Sequence, residues 1–311
     1  MVPVLLSFLP AAGQQTPLDP LSYWVFTPFV YNPAMVGSKD YLSLDLNAAW
    51  QGKSRTQLIA GNTRLSKAKP GYFSSTKLRE FKGFGLGGSL FNDIKDNSQN
   101  SGASLAASYQ LPLNTKNLSF LSFGAAVKGV YNRLDTSSAD AGSKTRNTFY
   151  PNADAGIYYY GTNFFTGVSG INLLGNPEDP DSLGYYAIPV SRQYFFTIGY
   201  KIVLSKKHDI VLEPSLLVNA VDSTFDDLAQ MKDNIDPILK LYLDDFCFGS
   251  YFLLDGNTSL FIEYRFPRFH LGALCQLPRK TAYYQKPPIV EFTAGFNFQV
   301  DKSGYSKRSV W

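Results

Sequence analysis

His208 and His270 are the two histidines of this 311-residue chain, so imidazole chemistry has two places to sit. His208 lies in the basic turn Lys206-Lys207-His208-Asp209, and His270 near the start of an alternating stretch. A serine hydrolase needs its hydroxyl beside an imidazole that a carboxylate orients. No serine here lies in a nucleophile-elbow pattern. Both histidines are therefore expected to be solvated or hydrogen-bonded rather than catalytic. Phe84-Gly85-Leu86-Gly87-Gly88 has the glycines of a phosphate loop but neither its Lys-Ser/Thr ending nor a following helix pattern. Glycines in such a stretch more simply permit close packing or bending. Asp93-Ile-Lys-Asp96-Asn97 lacks the sixth-place Gly and distal Glu of a calcium loop. The acidic stretches 176–181 and 222–236 read as solvated outer loops. Cys247 and Cys275 have no metal spacing and fall on opposite faces of their stretches, so no disulfide is expected. No catalytic, metal or cofactor site is expected.

What would position such residues is a set of strands. In 289–299, Val290, Phe292, Ala294, Phe296 and Phe298 alternate with Glu291, Thr293, Gly295, Asn297 and Gln299. A strand turns its side chains over with period two, so this stretch has one oily and one wet face. That is the unit of a membrane β-barrel, with lipid outside and a polar lumen inside. Composition agrees. Charged residues are 17%, below the roughly 25% of soluble domains, and 20 Tyr with 24 Phe raise the aromatics to 15%. No run of about 18 apolar residues exists to form a spanning helix. The net charge of +4 comes with no basic run that would argue for nucleic acid.

The pattern recurs at 41–51, 54–65, 81–92, 101–113, 116–134, 153–160, 163–171, 191–204, 208–221, 236–243, 245–253, 257–266, 268–277 and 289–300. The fold class is thus an all-β, transmembrane antiparallel barrel of about 14 strands, an even number as single-chain bacterial barrels have. Tight connections at 114–115, 161–162, 205–207, 244 and 267 alternate with longer ones at 93–100, 135–151, 172–190, 222–235 and 278–288. Short periplasmic turns and long extracellular loops produce that alternation. Residues 66–80 and 254–256 break it. Aromatics near strand ends, Tyr158-Tyr159-Tyr160, Phe164-Phe165 and Tyr194-Phe195-Phe196 among them, read as girdles at the headgroup level. Asp45, Glu263, Arg265 and Glu291 fall on polar faces and are expected to form lumen ion pairs.

The ends differ from the barrel, 40–300. Residues 1–15 resemble the apolar core and cleavage site of a secretory signal without its basic start. In 16–39, Pro17, Pro20, Pro28 and Pro33 exclude a long helix or central strand. Yet Tyr23, Trp24, Phe26, Phe29, Tyr31 and Met35 are too apolar for a free tail. This segment, with Asn32 and Pro33, is expected to pack in the periplasmic mouth or lumen as a partial plug. Residues 301–311 form a tail ending in Trp311, a terminal aromatic like the signal read by outer-membrane insertion machinery.

Tyr31-Asn32-Pro33-Ala34-Met35-Val36-Gly37, followed by Trp50, resembles the N-terminal signature of the PorP/SprF family of type IX secretion in Bacteroidetes. Phe91-Asn92-Asp93, the stretch ending Ser108 to Leu113, the region Pro151 to Leu174, Arg192 to Tyr200 and Glu213 to Val218 agree in order and spacing. The resemblance covers about 20–220 well and continues more loosely to 300. It implies a non-enzymatic outer-membrane barrel, with membrane lipids around it. Its implied partners are periplasmic or outer-membrane type IX components, or a secreted surface protein carrying a type IX C-terminal sorting domain. Anchoring such a protein through loops 135–151, 172–190, 222–235 and 278–288 would use Tyr185, Tyr186, Tyr283 and Tyr284, since tyrosine offers large contact area with a polar tip. The alternative is a channel or transporter for a small or hydrophobic solute, and a third reading is an outer-membrane hydrolase.

Overall fold

Alternation of oily and wet residues becomes a closed wall in the computed structural model. It describes residues 22–39, 41–65, 83–95, 97–114, 119–138, 142–175, 192–221, 234–253, 257–266, 268–277 and 287–298. The wall segments are β1 (Leu42–Gln51), β2 (Ser54–Arg64), β3 (Gly83–Lys95), β4 (Ser98–Asn114), β5 (Ser119–Ser138), β6 (Gly142–Tyr160) and β7 (Phe164–Ile171). They continue as β8 (Gln193–Tyr200), β9 (Ile202–Ser205), β10 (Ile210–Val221), β11 (Ile235–Leu243), β12 (Phe246–Phe252), β13 (Thr258–Arg265), β14 (Phe269–Leu277) and β15 (Ile289–Phe298). Consecutive strands pair antiparallel, β10 pairs β11, and β15 returns to β1 with Phe298 opposite Leu42. Every strand of the ring has a neighbour on each side, so the wall closes, which is the condition for strands to cross a bilayer. Lys201 alone interrupts β8 and β9, both of which pair β10, so they are two halves of one strand and the wall has 14.

The outward face is the lipid face. Leu44, Leu46, Ile59, Leu90, Val127, Val168, Leu260, Phe292 and Phe296 all project away from the barrel and are exposed, and Leu105 reaches 70%. Water would not tolerate so continuous an apolar belt on a monomer. Among the described residues no helix is long and apolar enough to cross a membrane; the strands do the crossing. The cysteines take opposite faces: Cys247 is buried on the inner side, Cys275 lies on the outer parity beside Leu271 and Leu277, and both are free.

Four sequence expectations are corrected. The stretches 93–100 and 135–151 are not loops. β3 runs to Lys95 and β4 starts at Ser98, while β5 and β6 pair from Phe120 opposite Tyr160 up to Ser138 opposite Gly142. Beyond the hydrocarbon both faces of a hairpin are wet, so the period-two signal fades although pairing continues. The aromatic runs do not all join a girdle, because period two splits them: Tyr159 and Phe164 pair outside at 5.9 Å, while Tyr158 is buried inside. Likewise Phe196 is exposed and Phe195 buried. Finally, the lumen is not uniformly polar. Leu58, Phe91, Val130, Tyr150, Phe195, Leu217, Ile238, Tyr251, Phe261 and Leu274 all point inward and are buried in one apolar cluster.

Candidate functional site

That inner cluster is completed by residues from outside the wall. A short helix, α1 (Ser22–Phe26), and two 3-10 turns, Pro28–Val30 and Pro33–Met35, carry Tyr23, Val25, Phe26, Phe29, Tyr31 and Val36 into it. The prolines act as the physics of proline dictates. Each sits at the start of its turn, where a missing N–H costs nothing and a fixed φ helps. Trp24 stacks on Tyr31 with ring centroids 4.5 Å apart, and both meet Phe195 of β8, at 4.9 and 5.2 Å. Phe26 meets Phe261 of β13 edge-on at 6.1 Å. The Asn47 side-chain amide of β1 donates to the Thr27 hydroxyl at 2.9 Å.

The stretch Asn32 to Gly37 is fastened backbone to wall. Asn32 caps its turn by accepting from the Ala34 N–H at 3.0 Å, while its amide donates to the Ile157 carbonyl of β6 at 3.3 Å. Ser122 of β5 donates to the Ala34 carbonyl at 2.6 Å. Ser108 and Gln110 of β4 both donate to the Val36 carbonyl, at 2.7 and 2.9 Å. Arg64 of β2 donates to the Gly37 carbonyl at 2.7 Å, the Ser38 carbonyl at 3.0 Å and the Tyr160 hydroxyl at 3.1 Å. So close an approach needs wall positions without side chains. A Cβ on Gly124 would collide with the Pro33–Ala34 peptide, and one on Gly156 with the Asn32 side chain. The phosphate-loop-like glycines have the same use: Gly85 and Gly87 face Val36.

Several other charged residues of the inner wall stand in pairs, as low-dielectric surroundings favour. Arg265 meets Glu263 at 2.6 Å and stands over the Tyr242 ring at 5.1 Å. The Tyr242 hydroxyl donates to Glu213 at 3.2 Å, and Glu213 also pairs with Lys240 at 3.4 Å. Lys128 of β5 meets Asp154 of β6 at 2.7 Å. Asp93, the core of the calcium-loop fragment, lies in β3, where the Thr56 hydroxyl donates to it and Lys95 stands 3.5 Å away. Among the described residues no three groups come together as a metal would need.

Asp45 accepts from the Ser43 hydroxyl at 2.9 Å, and the His270 Nε2 stands 3.1 Å from its other carboxylate oxygen. These three residue types are those of a hydrolase, but the connectivity is wrong. Ser43 gives its proton to the carboxylate rather than to the imidazole, so the hydroxyl is not activated as a nucleophile. His208 is exposed on the turn after β9, where its N–H donates to Ser205 at 3.3 Å.

Of the residues singled out from sequence, Tyr23, Trp24, Phe26, Phe29, Tyr31, Asn32 and Pro33 are brought together against inward-facing residues of the wall. Tyr185, Tyr186, Tyr283 and Tyr284 lie outside the described residues, as do 1–21 and 299–311. Sequence reasoning missed Arg64, Ser108, Gln110 and Ser122. Their one visible signal was an inward parity on strands whose inner neighbours are glycine.

A closed 14-strand antiparallel barrel with an apolar outer belt defines the class: an outer-membrane β-barrel protein. Residues 13–296 match the family described as type IX secretion system membrane protein PorP/SprF, and the chain belongs to that family. No curated protein matches. Solved structures similar to it include a Pseudomonas aeruginosa FadL homologue, 12% identical, with 92% of this chain and 96% of that one covered and a TM-score of 0.48. The KdgM porin is 10% identical over 82% of this chain and 99% of its own, at a TM-score of 0.39. Acinetobacter baumannii Omp33 is 11% identical over 84% and 100%, at 0.32. Family and fold belong to a secretion-associated membrane barrel rather than to an enzyme class.

Proposed function

We propose that this chain assists secretion of a partner protein and holds it at the cell surface through the partner's C-terminal sorting domain, without catalysing a reaction. The observation that carries this reading is the packed lumen. Segment 22–37 and the inner wall share one apolar cluster, and hydrogen bonds tie the segment to β1, β2, β4, β5 and β6. A diffusion pore needs a wet path from end to end. A filled barrel suits instead a fixed base from which a partner is held. In this reading segment 22–37 is the plug, and the outer loops, with Tyr185, Tyr186, Tyr283 and Tyr284 as anchors, provide the grip. In the same reading the end where β1 begins and β15 finishes is periplasmic and meets components of the type IX machinery.

The test is affinity purification from intact outer membranes followed by mass spectrometry. The expected result is a secreted protein with a sorting domain, or a type IX component, in stable association. Repeated recovery of the barrel with neither would refute the reading. In planar bilayers the purified barrel should be silent, whereas sustained single-channel currents would favour the solute-channel alternative.

A further inference from the structure

β6 is 19 residues long, but its partner on one side is not. β7 pairs it only from Ala155 opposite Gly170 to Tyr160 opposite Phe165. The chain after β7 extends this contact a little: the Leu173 N–H donates to the Ala153 carbonyl at 2.9 Å and the Leu174 N–H to the Asn152 side chain at 3.1 Å. From Pro151 back to Gly142, β6 has β5 on one side and, among the described residues, no strand on the other. The Ala153 carbonyl shows which groups face that open side. Backbone direction alternates along a strand, so the N–H and C=O of Ser143, Thr145, Asn147 and Phe149, and the C=O of Pro151, point there too. Pro151 fits, since an open edge is where a missing N–H breaks no ladder. The edge stands at the end of the barrel opposite the start of β1, the outward end in the anchoring reading, and spans nine residues, about 30 Å.

We infer that the open edge of β6, 143–151, is a docking strand that a partner polypeptide joins as an added β-strand. Main-chain hydrogen bonds supply affinity in that mode of recognition. A second copy of this chain does not fit. Two barrels in one membrane are related by an axis along the bilayer normal, and their tilted β6 strands would cross instead of pairing antiparallel. Charge narrows the occupant. Residues 142–151 carry Lys144 and Arg146 and no acidic residue, so an extended segment bearing Asp or Glu is favoured. This inference rests on the anchoring reading and names its contact: the sorting-domain protein held at the surface docks here.

The test compares tagged full-length barrel with the double variant Asn147→Pro/Phe149→Pro in the producing bacterium. Both prolines remove N–H groups from the open side only, leaving the β5 ladder intact. Thr148→Pro, which removes a ladder N–H, serves as the control for a broken arm. Heat-modifiability on gels reports the folded barrel, and mass spectrometry counts sorting-domain protein retained per barrel. The expected result is a tenfold or greater loss in the double variant with unchanged heat-modifiability. Equal retention would overturn the edge inference and leave the anchoring reading standing. No sorting-domain protein on the wild-type barrel would bring down both. If the double variant loses its fold, Asn147→Cys tests the same contact. Labelled with a benzophenone maleimide, the cysteine thiol is alkylated and photocrosslinks to C–H bonds of whatever lies beside it: a crosslink to the retained protein supports the contact, and its absence, or a crosslink only between two barrels, overturns it.

Discussion

His270 of β14 reaches across β15 to meet Asp45 of β1, with its Nε2 3.1 Å from Oδ1, and it can do so because Gly295 lies between them. A Cβ on Gly295 would fall on the imidazole and near the carboxylate. The contact therefore spans three strands at the point where the last strand of the chain meets the first.

Replacing Gly295 by Val should displace the imidazole and leave Asp45 buried with a single partner, Ser43. Leaving a buried polar group with fewer partners costs about 1–3 kcal/mol, and a loss in that range is expected. Urea unfolding in lipid vesicles, followed by tryptophan fluorescence, measures it. An unchanged midpoint would show that the pair contributes nothing to closure.

Arg64 fastens the end of the luminal segment to the wall through two carbonyls and a hydroxyl. Arg64→Ala should leave the Gly37 and Ser38 carbonyls without that donor, at a cost of about 2–4 kcal/mol. Arg64→Lys should rescue little, because a single ammonium cannot reproduce a planar fork. Limited proteolysis of 22–39 in the folded barrel reads the release directly.

Gly124→Val and Gly156→Val each put a side chain where Pro33–Ala34 or Asn32 now lies. The wall strands themselves tolerate Val well. The barrel should stay folded while segment 22–37 becomes accessible, and currents should appear in planar bilayers where the parent protein is expected to be silent. Silence in both variants, with the segment cut by protease, would show that the wall side chains alone close the lumen.

Lys128 and Asp154 allow a cleaner separation of charge from shape. Asp154 also accepts from the backbone N–H of Asn172 at 2.8 Å, a residue held at φ 58°. Lys128→Met should cost about 3 kcal/mol by leaving a buried carboxylate unpaired. Adding Asp154→Asn should recover most of it, since the amide oxygen still receives the Asn172 N–H and no charge remains. Adding Asp154→Leu instead should not, because that N–H loses its acceptor. The three midpoints in urea decide.

Much of the barrel was legible in residues alone. Period-two alternation is a local property, so the strands, their faces, the opposite placement of Cys247 and Cys275, and the need of Tyr23, Trp24, Phe26, Phe29 and Tyr31 for an apolar place can each be read from neighbours in the chain. The Gly85 and Gly87 pattern was legible as close packing, though not as packing against Val36. What occupies the lumen was decided only by tertiary structure. Asn32 and Ile157 are 125 residues apart, and Ser122 meets Ala34 across 88. No local period encodes which inward glycine faces which segment residue. The unequal lengths of β6 and β7 were hidden for a related reason: outside the hydrocarbon the lipid no longer forces one face to be oily, so a paired arm reads like a loop until its partner strand is seen.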